Sequence, residues 1–267
     1  MNNGHNMNEI SIFKKSLNDY LTKDMLSLLI YPLIGSAIIL YLTFFSVAGM
    51  GLDALENAQV QIEQQQTYID NGVVTEETTT QSYTGNSILD FLLKYTVTSW
   101  IVSFLVYTVG ALAIGYLSIF ISLIIIGFLT PKILAIIHKR HYSDLDITTN
   151  FSVIDGIAKI IKTAFMMILL LIAMIPFYFI PFINIIAINL PFYYFFHKML
   201  HFDISSTITS KEEFGQIYYP DKLPMRMRTL FLYAISLLPF VAFFISIFYI
   251  IYLGHVYFIK LQKLKSE

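Results

Sequence analysis

Four long runs of the chain carry no Asp, Glu, Lys or Arg: 25–52, 95–131, 163–197 and 229–259. Each exceeds the ~20 residues that an α-helix needs to cross the hydrocarbon core of a bilayer. Ahead of the first run, Ile10, Phe13, Leu17 and Leu21 recur at helical spacing, with Lys14, Lys15, Asn18 and Asp19 between them. That pattern predicts an amphipathic helix over 9–24 lying on the membrane surface. The first run predicts a span at 25–48 with Pro32 in its first two turns. The second predicts a span over 95–130, long enough to tilt or to extend past the bilayer. "GFLTPK" bends or ends it, and "ILAIIHKRHY" continues as a helix beside the membrane. Between these spans, 51–94 is rich in Gln and Thr. Its first half reads as a helical continuation of the first span, Asn71-Gly72 as a turn, and the remainder as a loop with Asn86 or Ser87 capping the next helix.

Charge gives the runs an orientation. Residues 53–94 hold the acids Asp53, Glu56, Glu63, Asp70, Glu76, Glu77 and Asp90 against the single base Lys94, whereas every other polar segment carries at least three bases. The positive-inside rule then places only 53–94 outside. The first two runs cross in opposite directions, so the third and fourth must each begin and end inside. Two full spans and a turn need more than ~40 residues, and these runs supply 35 and 31. Each therefore reads as a re-entrant helical hairpin, at 163–197 and 229–259; a proline-kinked single span is the alternative. "IPFYFIPFIN" supplies the turn of the first, with Pro176 and Pro181 breaking the helix and Asn184 capping the exposed backbone. "SLLPFVAFF" repeats the device with Pro239. The fold expected is an all-α integral membrane protein forming one membrane domain over 1–267.

Composition narrows the function classes. Hydrophobic residues make up 56% and charged residues 13%, against roughly a quarter charged in soluble domains. A net charge of −1 offers no basic surface for nucleic acid. The absence of cysteine excludes disulfides and thiolate chemistry. The polar N-terminus lacks the apolar core of a cleaved signal, so the first run serves as its own membrane signal. No Walker loop, dinucleotide-binding glycine pattern, HExxH or GxSxG occurs, so no enzyme activity and no cofactor is expected. Counting Asp, Glu, Lys and Arg, no acid or base lies within the four runs, which argues against a carboxylate relay at the midplane.

Three features bear on binding. His197 and His201 stand four residues apart on one helix face, the spacing of metal ligands, but no acid motif or third histidine completes a site, although Asp203 is close in sequence, so they read as interfacial histidines and no metal is expected. "HKRH" at 138–141, containing Lys139 and Arg140, is a basic patch that either anchors the chain or gathers an anion or lipid headgroups. "YLTKDMLS" opens the first span, and Thr22, Lys23, Asp24 and Met25 there form a generic helix-start anion position.

This arrangement resembles the CysZ-type sulfate transport proteins and the wider etoposide-induced membrane protein family. The resemblance rests on the leader followed by "MLSLLIYPLIGSAIIL", on "GFLTPKILAIIHKRHY", on "IPFYFIPFINII" with "HKMLHFDIS", where Asp203 takes the place of the family's aspartate, and on "LYAISLLPFVAFFISIFYIIYLGH". It implies two spanning helices, two pairs of half-inserted helices, homo-oligomeric assembly among the lipids of a bacterial inner membrane with both termini cytoplasmic, and uptake of sulfate. The family holds sulfate with a Gly-Leu-Arg motif at the start of the first span. Alignment on Pro32 puts Asp24-Met25-Leu26 there, so the glycine and arginine are missing; Thr22 and Lys23 would substitute only with a shifted helix start. The function expected is an inner-membrane permease for sulfate or another small solute, without ATP hydrolysis by this chain. The alternative is a non-transporting scaffold or regulatory protein of the same fold.

Overall fold

The computed structural model describes residues 8–57, 60–70, 73–83, 96–238 and 240–267. Its helices, in chain order, are α1 (Glu9–Tyr20), α2 (Lys23–Asn57), α3 (Thr96–Phe128), α4 (Thr130–His141), α5 (Val153–Ala173), α6 (Ile183–Ile208), α7 (Lys211–Tyr218), α8 (Lys222–Ser236) and α9 (Val241–Ser266). A 3₁₀ turn, Ile175–Phe177, lies between α5 and α6. Among the described residues, four stretches are long and apolar enough to cross a membrane: Lys23–Val47, Tyr107–Phe128, Val153–Ala173 and Val241–Ser266. The chain divides into two units, Met1–Pro32 with Ile121–Glu267, and Leu33–Phe120.

The first unit is built around α9. Phe243, Ile247, Ile251, Leu253, Tyr257, Phe258 and Leu261 are almost wholly buried, and α1, α4, α6, α7 and α8 pack around them. Gly254 lets α4 come close: a Cβ there would stand 2.6 Å from Leu134 Cδ2. α1 lies against α9 with an inverted polarity. It buries Ile12, Ser16 and Asp19 and turns Ile10, Phe13, Leu17 and Leu21 outward.

Two breaks in this unit share one backbone device. α5 begins at a capping box, in which Ser152 Oγ accepts from the Asp155 amide while the Asp155 carboxylate accepts from the Ser152 amide. It ends at Ala173; Pro176 falls in the 3₁₀ turn and Pro181 just before Phe182. Phe182 (φ 65°, ψ −38°) and Phe240 (φ 63°, ψ −37°) hold the same left-sided conformation, each immediately before a helix. Such a φ costs a non-glycine residue about 1–3 kcal/mol. Asn184 lies in the first turn of α6, where its amide donates to the Ile180 carbonyl at 3.0 Å; the residue in the cap position is Phe182, without a side-chain bond. Pro239, the other expected turn residue, lies outside the described residues. Phe179 and Phe182 at the first break are 84% and 85% exposed.

In the second unit, Tyr41 Oη donates to the Ala111 carbonyl at 2.9 Å and Ser36 Oγ to the Ser118 carbonyl at 3.0 Å, and the Phe44 ring lies over Gly110. The segment after the first span differs from the expected helix and loop. α2 ends at Asn57, and Val60–Asp70 pairs antiparallel with Val73–Tyr83, Val60 facing Tyr83 and Asp70 facing Val73. The physical reason is the Val, Ile, Tyr and Thr residues interspersed along both segments, whose branched and aromatic side chains suit a pleated surface. The expected Asn71-Gly72 turn and Asn86 or Ser87 cap lie outside the described residues.

Candidate functional site

The residues expected at the start of the first span meet α4 at the corner between α1 and α2. Thr22 Oγ1 donates to the Asp19 carbonyl at 2.7 Å, and the Thr22 carbonyl accepts from the Leu26 amide at 3.0 Å, which sets the corner. Lys23 and Asp24 are exposed on the first turn of α2, while Met25 is fully buried. Arg140 reaches across from α4: its Nη1 donates to Asp19 Oδ1 at 2.7 Å and to Thr22 Oγ1 at 3.4 Å, and its Nη2 lies 3.5 Å from Asp24 Oδ2. Lys139 is exposed one residue earlier. The fold thus brings Thr22, Asp24 and Arg140 together. It leaves Lys23 and Lys139 at the surface and places Met25 in the core. Because Arg140 faces two carboxylates, its charge is answered within the chain.

Asp19 is the centre of this corner. Its carboxylate, on a residue 4% exposed, accepts from Arg140, from His141 Nε2 at 2.8 Å and from His255 Nε2 at 2.9 Å. With Nε2 of His255 donating, its Nδ1 accepts from the Tyr142 hydroxyl at 2.9 Å. The Lys15 ammonium sits 4.7 Å above the Tyr142 ring. Burial opposes ionisation of Asp19, but the bonds from His255, Arg140 and His141 outweigh it and hold the carboxyl well below the ordinary carboxylate range. Burial pushes the Tyr142 hydroxyl up, and the Asp19 charge adds to that. Tyr142, His255 and Asp19 therefore form a hydrogen-bonded chain joining α1, the end of α4 and α9. Asp19, His141 and His255 also offer ligand atoms within 4.8 Å of one another. The Arg140 guanidinium on the same carboxylate opposes a second cation there.

A second anchor of α1 lies at Glu9, which pairs with Arg228 of α8 and accepts from the Tyr252 hydroxyl at 2.8 Å. The Arg228 bond, more than any other influence, lowers the Glu9 carboxyl.

The histidines singled out in the sequence are buried within the protein. His197 Nδ1 lies 2.6 Å from Thr229 Oγ1 and its Nε2 2.8 Å from the Tyr218 hydroxyl, while His201 Nδ1 lies 2.8 Å from the Tyr257 hydroxyl. "HKRH" is likewise no open patch, since His138 Nε2 donates to the Leu145 carbonyl at 2.8 Å and Arg140 and His141 converge on Asp19. The count of charged residues passed over His255, a titratable residue inside the fourth run. It also read Asp19 as part of a solvated face. The signal present was the pairing of a histidine in an apolar run with an acid on an amphipathic helix, which needs a tertiary contact to become specific.

The family described as sulfate transporter CysZ/etoposide-induced protein 2.4 matches residues 12–246. No curated protein and no solved structure matches the chain.

Proposed function

The chain belongs to the sulfate transporter CysZ/etoposide-induced protein 2.4 family and is a multi-pass membrane protein with four apolar helices long enough to span; on that premise we propose that it is an inner-membrane permease for sulfate or another small oxyanion, working without ATP hydrolysis by this chain. The match over 12–246 is the observation that carries this reading.

In this reading α2 and α3 span, while α5–α6 and α8–α9 enter from the cytoplasmic side and return to it. The charge-free parts of α5 (163–173), α6 (183–197) and α8 (229–236) support half-insertion. At 1.5 Å per residue they reach about 17, 22 and 12 Å, short of the ~30 Å core. The corresponding part of α9 (241–259) is longer, about 28 Å, but is largely enclosed by the other helices. The first turn exposes Phe179 and Phe182, a surface suited to lipid and not to water. The outward apolar face of α1 suits the headgroup boundary. Both termini are then cytoplasmic, and broken backbone at membrane depth needs shielding, which a homo-oligomer provides.

One observation favours the non-transporting alternative. The helix start that carries the family's glycine and arginine holds Asp24-Met25-Leu26 here, and Arg140, the nearby cation, is bound to Asp19 and Asp24. Radiolabelled sulfate uptake into proteoliposomes separates the two readings. Uptake above empty vesicles is expected of a permease; folded protein without such uptake assigns the chain to the scaffold class for this anion.

A further inference from the structure

A cavity of about 190 Å³ opens at the base of the α5–α6 hairpin, lined by Lys159, Lys198, His201, Tyr218, Lys222 and Arg226 among others. Water occupies about 30 Å³ in the liquid, so the space holds a tetrahedral ion with part of its hydration shell. Lys159 and Lys198 stand just outside the two ends of the charge-free run 163–197, which sets the cavity where charged groups meet headgroups.

Its charges are unanswered. Among the described residues, none of Lys159, Lys198, Lys222 and Arg226 has a carboxylate within ion-pair distance. Two of them face aromatic rings: Lys198 lies 5.5 Å from the Tyr218 ring centre and Lys222 4.6 Å from that of Tyr219. Burial, followed by the charges of Lys159, Arg226 and Lys222, lowers the Lys198 ammonium. Four cations held around one space repel one another, and an anion between them reverses the sign of every pair.

The second observation is independent of these cations. His201 is 2% exposed, and its Nε2 has no hydrogen-bond partner; the Met225 backbone faces the ring outside hydrogen-bond geometry. Burial chiefly, and then the charge of His197, lowers its pKa to about 3, so the ring is neutral at physiological pH. Its other ring nitrogen, Nδ1, lies 2.8 Å from the Tyr257 hydroxyl, so the cavity wall carries a buried histidine with one ring nitrogen unpaired.

We propose that this cavity is an oxyanion site, taking the sulfate or phosphate group of a free ion or of an anionic lipid headgroup, with Lys159, Lys198, Lys222 and Arg226 as counter-charges and His201 on its wall. The site is separate from the Thr22–Arg140 corner and does not depend on transport. Its test is binding to the full chain in neutral detergent. Melting temperature is followed with sodium sulfate, with sodium phosphate, with sodium chloride at matched ionic strength, and with phosphatidylglycerol or phosphatidylcholine added to the micelles. Stabilisation by either free oxyanion over chloride identifies the free ion as the source. Stabilisation by phosphatidylglycerol alone identifies the headgroup phosphate. Lys222→Gln and Arg226→Gln alter exposed side chains, and each variant is read against its own melting temperature in chloride; each is expected to weaken the effect about tenfold, the worth of one charge-assisted hydrogen bond. Lys23→Ala leaves it unchanged. As a measure free of substitution, bound oxyanion or lipid is expected to protect Lys198 from amine acylation, read by mass spectrometry. No oxyanion- or phosphatidylglycerol-specific stabilisation, or stabilisation that Lys222→Gln and Arg226→Gln leave intact with Lys198 unprotected, overturns the proposal. Binding without uptake removes the permease and leaves this site standing.

Discussion

Asp19 takes hydrogen bonds from Arg140, His141 and His255 on one carboxylate, and no other described side chain ties α1 to both α4 and α9 in this way. Asp19→Asn removes the charge that answers Arg140 and leaves a neutral amide facing three donors. Truncating one side of a buried charged network typically costs 3–5 kcal/mol. Arg140 can turn toward water, its side chain being 31% exposed, which sets the expectation at about 3 kcal/mol, seen as a lower melting temperature in detergent. The pH dependence follows from the depressed carboxyl. A group whose folded pKa lies below its unfolded value adds stability above the unfolded pKa and loses it as pH falls toward the folded one. The wild-type melting temperature is thus expected to fall as pH drops below about 4; the Asp19→Asn profile is expected to be flatter there, and equal slopes contradict the network. The sequence showed Asp19 at a polar position of an amphipathic pattern. Only its separation of 121, 122 and 236 residues from its three partners explains why the burial was hidden.

Elements in this chain were more legible than their contacts. Charge-free runs and prolines marked α2, α3, the α4 extension and the break between α5 and α6, because proline removes a helix donor wherever it falls. The second break used the same conformation at Phe240 that Phe182 adopts at the first, which no propensity scale announces. The strands Val60–Asp70 and Val73–Tyr83 escaped notice because Gln and Thr dilute the alternation that would flag them. Helix crossing depends on small residues at single positions. Gly254 is such a position, set against Leu134 and Ile137 of α4. Gly254→Val puts methyl groups into a filled space and is expected to cost about 1–3 kcal/mol through displacement of α4 from α9. A thermal-unfolding series of Gly254→Ala and Gly254→Val checks it: steric crowding requires a lower melting temperature with valine the worse, whereas helix propensity alone raises it for both.

At the scale of the whole molecule, the hairpin reading makes a topological prediction. Single cysteines at Glu212 and Asp144, in a chain that has no cysteine of its own, are expected to label from the same side as Lys263, and Glu76 from the opposite side. Full crossing by α5 and α6 together also returns the chain to its starting side, so side alone does not separate depth. A cysteine at Phe179 does: a spin label there sits near the midplane in a half-inserted hairpin and at the far headgroups in a crossing one. Labelling of Glu212 and Lys263 from opposite sides removes both pictures.

Membrane residence, the approximate places of the helices and the break at 174–182 were determined by the sequence alone, because transfer into hydrocarbon and the loss of a proline's donor are local costs that add along the chain. Which polar groups the fold turns inward was decided by the tertiary structure. Asp19 and His255 become partners, Arg140 is consumed by carboxylates, and the unpaired cations gather beside His201 instead of at the first helix start. Electrostatic energy depends on distance in space and on burial, and neither quantity exists until α1, α4, α6, α8 and α9 have packed.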